Sequence, residues 1–262
     1  MTSTLDRIIA RTEMNLPALR ARRVDLERAA SRAPPRPEFL VGWDRRHLAL
    51  VAEVKRRSPS AGVISHQLDP VQHAIRYAAA GASAISVLTD GPFFGGSIED
   101  LRAVAEAVDV PLLRKDFIVD EVQLLEARAA GASAALLIVR ALSQGRLGEL
   151  VRFAAGLGLA VLVEAHDAAE LDRALATPAR FIGVNSRNLD TLAIDVDAAW
   201  GLIERIPADR IAVAESGMAT VEDVARAATA GADAVLIGTA LSAAADPAGL
   251  AQECARVTRR GR

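Results

Sequence analysis

Two lysines and three glutamates stand where short apolar runs give way to polar sequence. Glu53 and Lys55 flank Val54 directly after the apolar residues 48–52, in "LALVAEVKRRSPSAG". Lys115 closes "VPLLRK", Glu164 follows "LAVLV" and Glu215 follows "RIAVA". Ammonium and carboxylate groups sharing one cavity shift each other's ionisation, and that is how general acids and bases are tuned. Singly, each is the ordinary first solvated residue of a loop or half of a structural ion pair. Asn185-Ser186-Arg187-Asn188 closes a further run, so five of eight runs end in charge. That repetition favours one shared rim over five unrelated loop starts.

The elements that must position these residues alternate with unusual regularity. Apolar runs occupy residues 48–54, 83–89, 110–117, 133–139, 159–165, 180–185, 210–216 and 233–239. Runs without polar alternation fit parallel strands covered on both faces. Helix starts lie between them. Asp69 precedes Pro70 as a cap followed by proline at the first helical position, with Gln72 beyond. Ser97 to Asp100, Asp167 to Glu170 and Thr220 to Asp223 have capping-box spacing. Gly81, Gly131 and Gly231 stand where helices end. "AAGASAISVL", "AAGASAALLI" and "TAGADAVLIG" write the same helix end, turn and strand three times.

Eight such units in a chain of this length predict an α/β fold, a closed (β/α)8 TIM barrel, with an open doubly wound sheet as the alternative. Residues 1–47 differ: Leu5, Ile8, Ile9, Leu16, Leu19 and Leu26 recur at helical spacing until "SRAPPRPEF" breaks the pattern. The expected division is an N-terminal helical extension over residues 1–47 and a barrel catalytic domain over residues 48–262. Active sites of such barrels lie at the C-terminal ends of the strands, where the charged residues fall.

Composition removes several classes of function. The chain has 262 residues, 51% hydrophobic, with a formal net charge of −2. That balance gives no footing for nucleic acid or a membrane surface as partner, and no obligate protein partner is evident. A single cysteine, Cys254, fits a reducing compartment, and no secretory signal or membrane-length apolar run is present, so a cytoplasmic location is expected. Cys254 lies in the C-terminal helical segment, away from any strand end, which argues against a cysteine nucleophile. The four histidines, His47, His66, His73 and His166, lack ligand spacing, and no metal site is expected. No dinucleotide fingerprint follows the first strand.

Two further features point to the ligand. "ESGMATVED" and "IGTALSAA" each set glycine beside a hydroxyl residue before a helix, on the seventh and eighth strands. Backbone N–H groups at such turns hold anions, and these loops commonly bind phosphate in barrels. Phe94 and Phe117, two of only six phenylalanines, follow strand ends. Packing accounts for either alone; together they offer a flat apolar wall to an aromatic group.

With "AEVKRRSPSAG", "FFGGS", "LRKDF", "LVEAH", "GVNSRNL", "AESGM" and "DAVLIGTAL" in order, the chain resembles the indole-3-glycerol phosphate synthases. The resemblance runs from about residue 48 to 241, with a block on nearly every strand. It implies a carbon–carbon lyase of tryptophan biosynthesis. Such a lyase closes the ring of 1-(2-carboxyphenylamino)-1-deoxyribulose 5-phosphate with loss of CO2 and water, and uses no cofactor. By that resemblance Lys115 is the general acid, Glu164 the base, and Lys55 the cation beside the substrate carboxylate, oriented by Glu53. Asn185 and Arg187 position substrate or assist proton transfer, and Glu215 completes the charged network. Ser58, Ser216, Gly217, Gly238 and Thr239 cradle the phosphate, and Phe94 and Phe117 flank the anthranilate ring.

Gly95 stands where relatives often carry a larger polar residue, which would alter the ring pocket, and Thr239 where serine is frequent. The competing readings are a phosphoribosylanthranilate isomerase, a paralogue acting on a modified anthranilate, and a catalytically silent phosphate binder. An isomerase of that kind would use a strand-end cysteine or aspartate pair, and no cysteine lies at a strand end here. Intact Lys115 and Glu164 argue against silence.

Overall fold

The computed structural model describes residues 3–64 and 68–261; His66 lies outside them. Eight strands form the barrel: β1 (Ala49–Val54), β2 (Ala84–Leu88), β3 (Leu112–Lys115), β4 (Ala134–Ile138), β5 (Ala160–Ala165), β6 (Phe181–Asn185), β7 (Ile211–Glu215) and β8 (Ala234–Ile237). All neighbours are parallel, and β1 pairs with both β2 and β8, which closes the sheet and leaves no edge. This is the (β/α)8 TIM barrel that the eight apolar runs predict, and not an open sheet.

Side chains alternate across each strand, so one parity faces the helices and the other faces the barrel axis. In β1, Leu50, Ala52 and Val54 pack outward with the helices, while Ala49 and Val51 join the interior cluster. The inward parity continues to Glu53 and Lys55. In β3, Leu113 faces inward and Lys115 follows it, whereas Arg114 turns outward to Glu126 at 3.0 Å. The interior cluster of Val51, Leu113, Leu136, Leu162, Val213 and Leu236 fills the barrel beneath the charged layer. Its lower end is stopped by Phe39, whose ring meets Phe181 edge-on at 5.2 Å.

The helix-start signals act as their chemistry requires. The Asp69 carboxylate accepts from the backbone N–H groups of Val71 and Gln72. Ser97, Asp167 and Thr220 each accept from the N–H three residues on. Gly81, Gly131 and Gly231 adopt φ of 95°, 89° and 91°, the left-handed exit that costs glycine nothing. Ahead of the barrel run two helices, Thr4–Ala21 and Arg23–Arg32. The first is tied down by Arg20, which donates to the buried Asp120 at 2.5 Å. No described helix is long and apolar enough to cross a membrane.

Candidate active site

The strand ends build the site one residue at a time. β1 extends its inward parity to Glu53 and Lys55, whose Oε1 and Nζ lie 2.7 Å apart. β3 delivers Lys115, which donates to Glu164 Oε2 on β5 at 2.9 Å and to Glu215 Oε2 on β7 at 2.5 Å. Across the β6–β7 register Asn185 stands opposite Glu215. Asn185 Oδ1 accepts from the Arg187 N–H at 3.0 Å, which turns the chain into the next loop. Arg187 folds back to donate to the Leu192 carbonyl at 3.0 Å.

Two glycines make room for the carboxylates. A Cβ on Gly183 of β6 would stand 2.2 Å from Glu215 Oε1, and one on Gly238 would stand 2.2 Å from Glu53 Oε1. Real atoms do not approach so closely, so each buried carboxylate occupies the space its neighbour's missing side chain leaves. After β7, Ser216 and Gly217 both take positive φ, 64° and 74°, consecutively. Successive left-handed residues turn backbone N–H groups into one concavity, the shape that holds anions. Gly238 and Thr239 open the short helix Thr239–Ala243 beside it. Ser58 sits in a small hairpin, Arg57–Ser58 with Gly62–Val63, its Oγ accepting from the Ala61 N–H at 3.2 Å.

Phe94 and Phe117 close another side of the cavity, ring centroids 6.0 Å apart and planes 36° from parallel. Asp90 fixes the first by accepting from the Phe93 and Phe94 N–H groups. Asp116 fixes the second by accepting from the Phe117 N–H, while its other oxygen takes bonds from Thr89 and Arg114.

Electrostatics sort the charged layer into roles. Burial works against the Lys115 charge, but Glu164, Glu215 and Glu53 outweigh it and hold its pKa above the usual lysine value. Burial also opposes ionisation of Glu164, yet Lys115 and His166 keep it well below an ordinary glutamate. Glu215 goes the other way, pushed up to about 8 by burial and by the neighbouring Glu164 charge, against the pull of Lys115. One ammonium cannot fully balance two carboxylates at contact distance. The same surroundings thus push the two carboxylates apart, Glu164 toward its ionised form and Glu215 toward its protonated one.

All fourteen residues singled out from the sequence line one cavity: Glu53, Lys55, Ser58, Phe94, Lys115, Phe117, Glu164, Asn185, Arg187, Glu215, Ser216, Gly217, Gly238 and Thr239. Gly95 does not. It ends the short helix Gly91–Phe94 with φ 68° and packs behind it against Arg57.

The family model for indole-3-glycerol phosphate synthase matches residues 5–253. The chain belongs to the indole-3-glycerol phosphate synthase family. Among its relatives, the indole-3-glycerol phosphate synthase of a Nocardioides species is 48% identical over 249 residues, 94% of this chain and 96% of the relative. The enzyme of that name from Chlorobium luteolum is 51% identical over 86% of each chain. The one from Streptomyces griseus is 45% identical over 94% of this chain and 92% of its own. Among solved structures, a 3-hexulose-6-phosphate synthase from Salmonella typhimurium superposes with a TM-score of 0.66 at 17% identity, over 80% of this chain and 98% of that one. At that identity the likeness is one of fold.

Against this family frame, two parts of the site escaped the sequence reading. Thr4, Leu5 and Ile8 of the first helix line the cavity, and Leu5 and Ile8 are buried with Phe117, Leu136 and Leu236. Their spacing marked a helix face but not what it covers. The other missed signal was compositional. Lys55 and Lys115 are the only lysines in the chain; every other one of its 31 basic residues is arginine. Arginine cannot give up a proton in a protein, whereas lysine can. Both lysines line the same cavity.

Proposed function

We propose that this chain closes the indole ring, converting 1-(2-carboxyphenylamino)-1-deoxyribulose 5-phosphate to indole-3-glycerol phosphate, CO2 and water, with Lys115 as acid and Glu164 as base. The observation that carries the assignment is the Lys115 ammonium held between Glu164 and Glu215 on the cavity floor. Family membership supports the reaction, and the contacts of Lys115 with the two glutamates support the roles.

The aromatic carbon bearing the carboxylate attacks the ketone, and the ketone oxygen takes a proton from Lys115 as the bond forms. Lys55, paired with Glu53, offers positive charge to the substrate carboxylate until CO2 departs and leaves its electrons to the ring. Dehydration follows: Glu164 Oε2 removes the proton from the ring carbon beside the nitrogen, and the ring double bond forms as the C–O bond breaks. The departing hydroxyl takes a proton from Lys115, recharged from solvent, to leave as water. Ser58, the Ser216–Gly217 turn and Gly238–Thr239 hold the phosphate, Phe94 and Phe117 flank the ring from one wall, and Asn185 and Arg187 position the substrate or assist proton transfer. Glu215, its pKa raised by burial and by the Glu164 charge, supports Lys115 while Glu164 serves as the base.

The test is growth of indole fluorescence when purified protein meets the substrate. Lys115→Met or Glu164→Gln should lower kcat by about 10²–10⁴-fold, the range general acid–base catalysis supplies, with KM changed far less. A Lys115→Met variant that turns over at the native rate would remove the acid assignment.

A further inference from the structure

Glu164 has two carboxylate oxygens, and the structure engages both. Oε2 takes the hydrogen bond from Lys115. Oε1 lies 3.3 Å from Nε2 of His166, a ring that stands outside the cavity lining with a side chain only 3% exposed. That nitrogen is buried without an aligned hydrogen bond, and the acidic oxygen facing it is Glu164 Oε1.

The other ring nitrogen is held more firmly. His166 Nδ1 lies 3.0 Å from Glu170 Oε2, which also accepts from the His166 backbone N–H at 2.9 Å. Glu170 Oε1 accepts from Arg140 at 2.5 Å, and Arg140 reaches on to Asp167 and to Asp190. Asp190 belongs to the loop after β6, where Arg187 and Leu189 line the cavity wall. A continuous polar chain thus runs from the substrate-facing loop through Arg140, Glu170 and His166 to the back of Glu164.

We propose that His166, braced by Glu170 and Arg140, is a positioning residue that holds Oε1 of Glu164 so that Oε2 alone is presented to Lys115 and to the reacting atoms. The inference rests on Glu164 being the base of the ring-closing reaction. The terminal torsion of glutamate is broad and nearly two-fold, so a carboxylate held at one oxygen only can swing. With His166 absent, Lys115 would be the sole cation on Glu164, and their mutual pair would tighten at the expense of substrate. An imidazole between two carboxylates carries both protons, and its pKa is raised to about 9: burial opposes the charge, and Glu164 and Glu170 overcome it. The charged groups around the ring are Glu164 on its own strand, Glu170 on the following helix, Arg140 behind Glu170, and Lys115 and Glu215 beyond Glu164.

The experiment compares steady-state turnover of the wild type with His166→Leu, His166→Gln and Glu170→Gln, from acid to alkaline pH, each checked for native circular dichroism. His166→Leu should lower kcat by about 10- to 100-fold, the cost of misplacing a catalytic group, with KM nearly unchanged. The acid limb of its kcat/KM profile should move to higher pH, because Glu164 loses its second cation. His166→Gln, which keeps a donor facing Glu164, should recover most of kcat but not the acid limb. If His166→Leu fails to fold, Glu170→Gln carries the test, with a smaller kcat loss and the same direction of shift. Native kcat and a native acid limb in the folded variants would overturn the brace alone. A wild type that does not turn over the substrate would overturn the ring-closing reading, and the brace with it.

Discussion

At the scale of single residues, the charged layer depends on atoms that are absent. Gly238 leaves the space in which Glu53 Oε1 sits, and Glu53 in turn fixes Lys55. Gly238→Ala should therefore part the Glu53–Lys55 pair. The expected outcome is a large fall in kcat with a stability loss of about 1–3 kcal/mol, typical of overpacking a tight site. Turnover and urea unfolding measured on the same preparation check both halves. A variant that is destabilised yet fully active would show that the pair has room to shift. Gly183, which accommodates Glu215 in the same way, was not legible in the sequence. Its role exists only once strand register sets β6 beside β7, and register is not a local property. The charged residues themselves were legible, because each interrupts an apolar run and needs no knowledge of its neighbours.

At the scale of elements, the first helix contributes more than a lead-in. Leu5 and Ile8 are buried against Phe117, Leu136 and Leu236 at the mouth of the barrel. Ile8→Ala should destabilise docking of this helix by about 2–5 kcal/mol, the usual range for emptying a buried isoleucine site, and should raise KM more than it lowers kcat. Differential hydrogen exchange over residues 4–21 and initial-rate kinetics would check it; native exchange with native KM would refute it. Helix starts, strand runs and glycine exits were all legible, since caps and turns are decided within about four residues. What the first helix covers was not, because its partners lie more than a hundred residues away in the chain. The same holds for His166, which has no ligand spacing in the sequence and gains its surroundings only when Glu164, Glu170 and Arg140 are placed around it.

For the whole molecule, the buried ionisable groups set the response to pH. His166 titrates at about 9 when folded against 6.5 when free. Its contribution is complete below about pH 6.5 and is lost as pH rises through about 9. Glu215, raised from 4.5 to about 8, acts in the same direction over a lower window. Glu164, held well below 4.5, acts oppositely, its contribution lost as pH falls below that value. Stability should thus fall between about pH 4.5 and pH 9, most steeply from about 6.5 to 8 where both groups act, with His166 alone accounting for on the order of 3 kcal/mol. Urea midpoints across that range would measure it, and His166→Leu should flatten the dependence. An equally steep fall in that variant would assign the effect elsewhere. The barrel itself was legible at this scale because eight similar units leave few ways to bury their apolar strands.

The restriction of lysine to two cavity residues also makes the molecule unusually tractable to amine chemistry. Apart from the α-amino group, Lys55 and Lys115 are the only primary amines in it, and both line the same cavity. Reductive methylation with isotopically labelled formaldehyde would therefore report on the cavity and the α-amino group alone, with Lys115, held as an ammonium between two glutamates, reacting slowest. The side-chain resonance would follow occupancy of the site, with no engineered tag and no cysteine introduced.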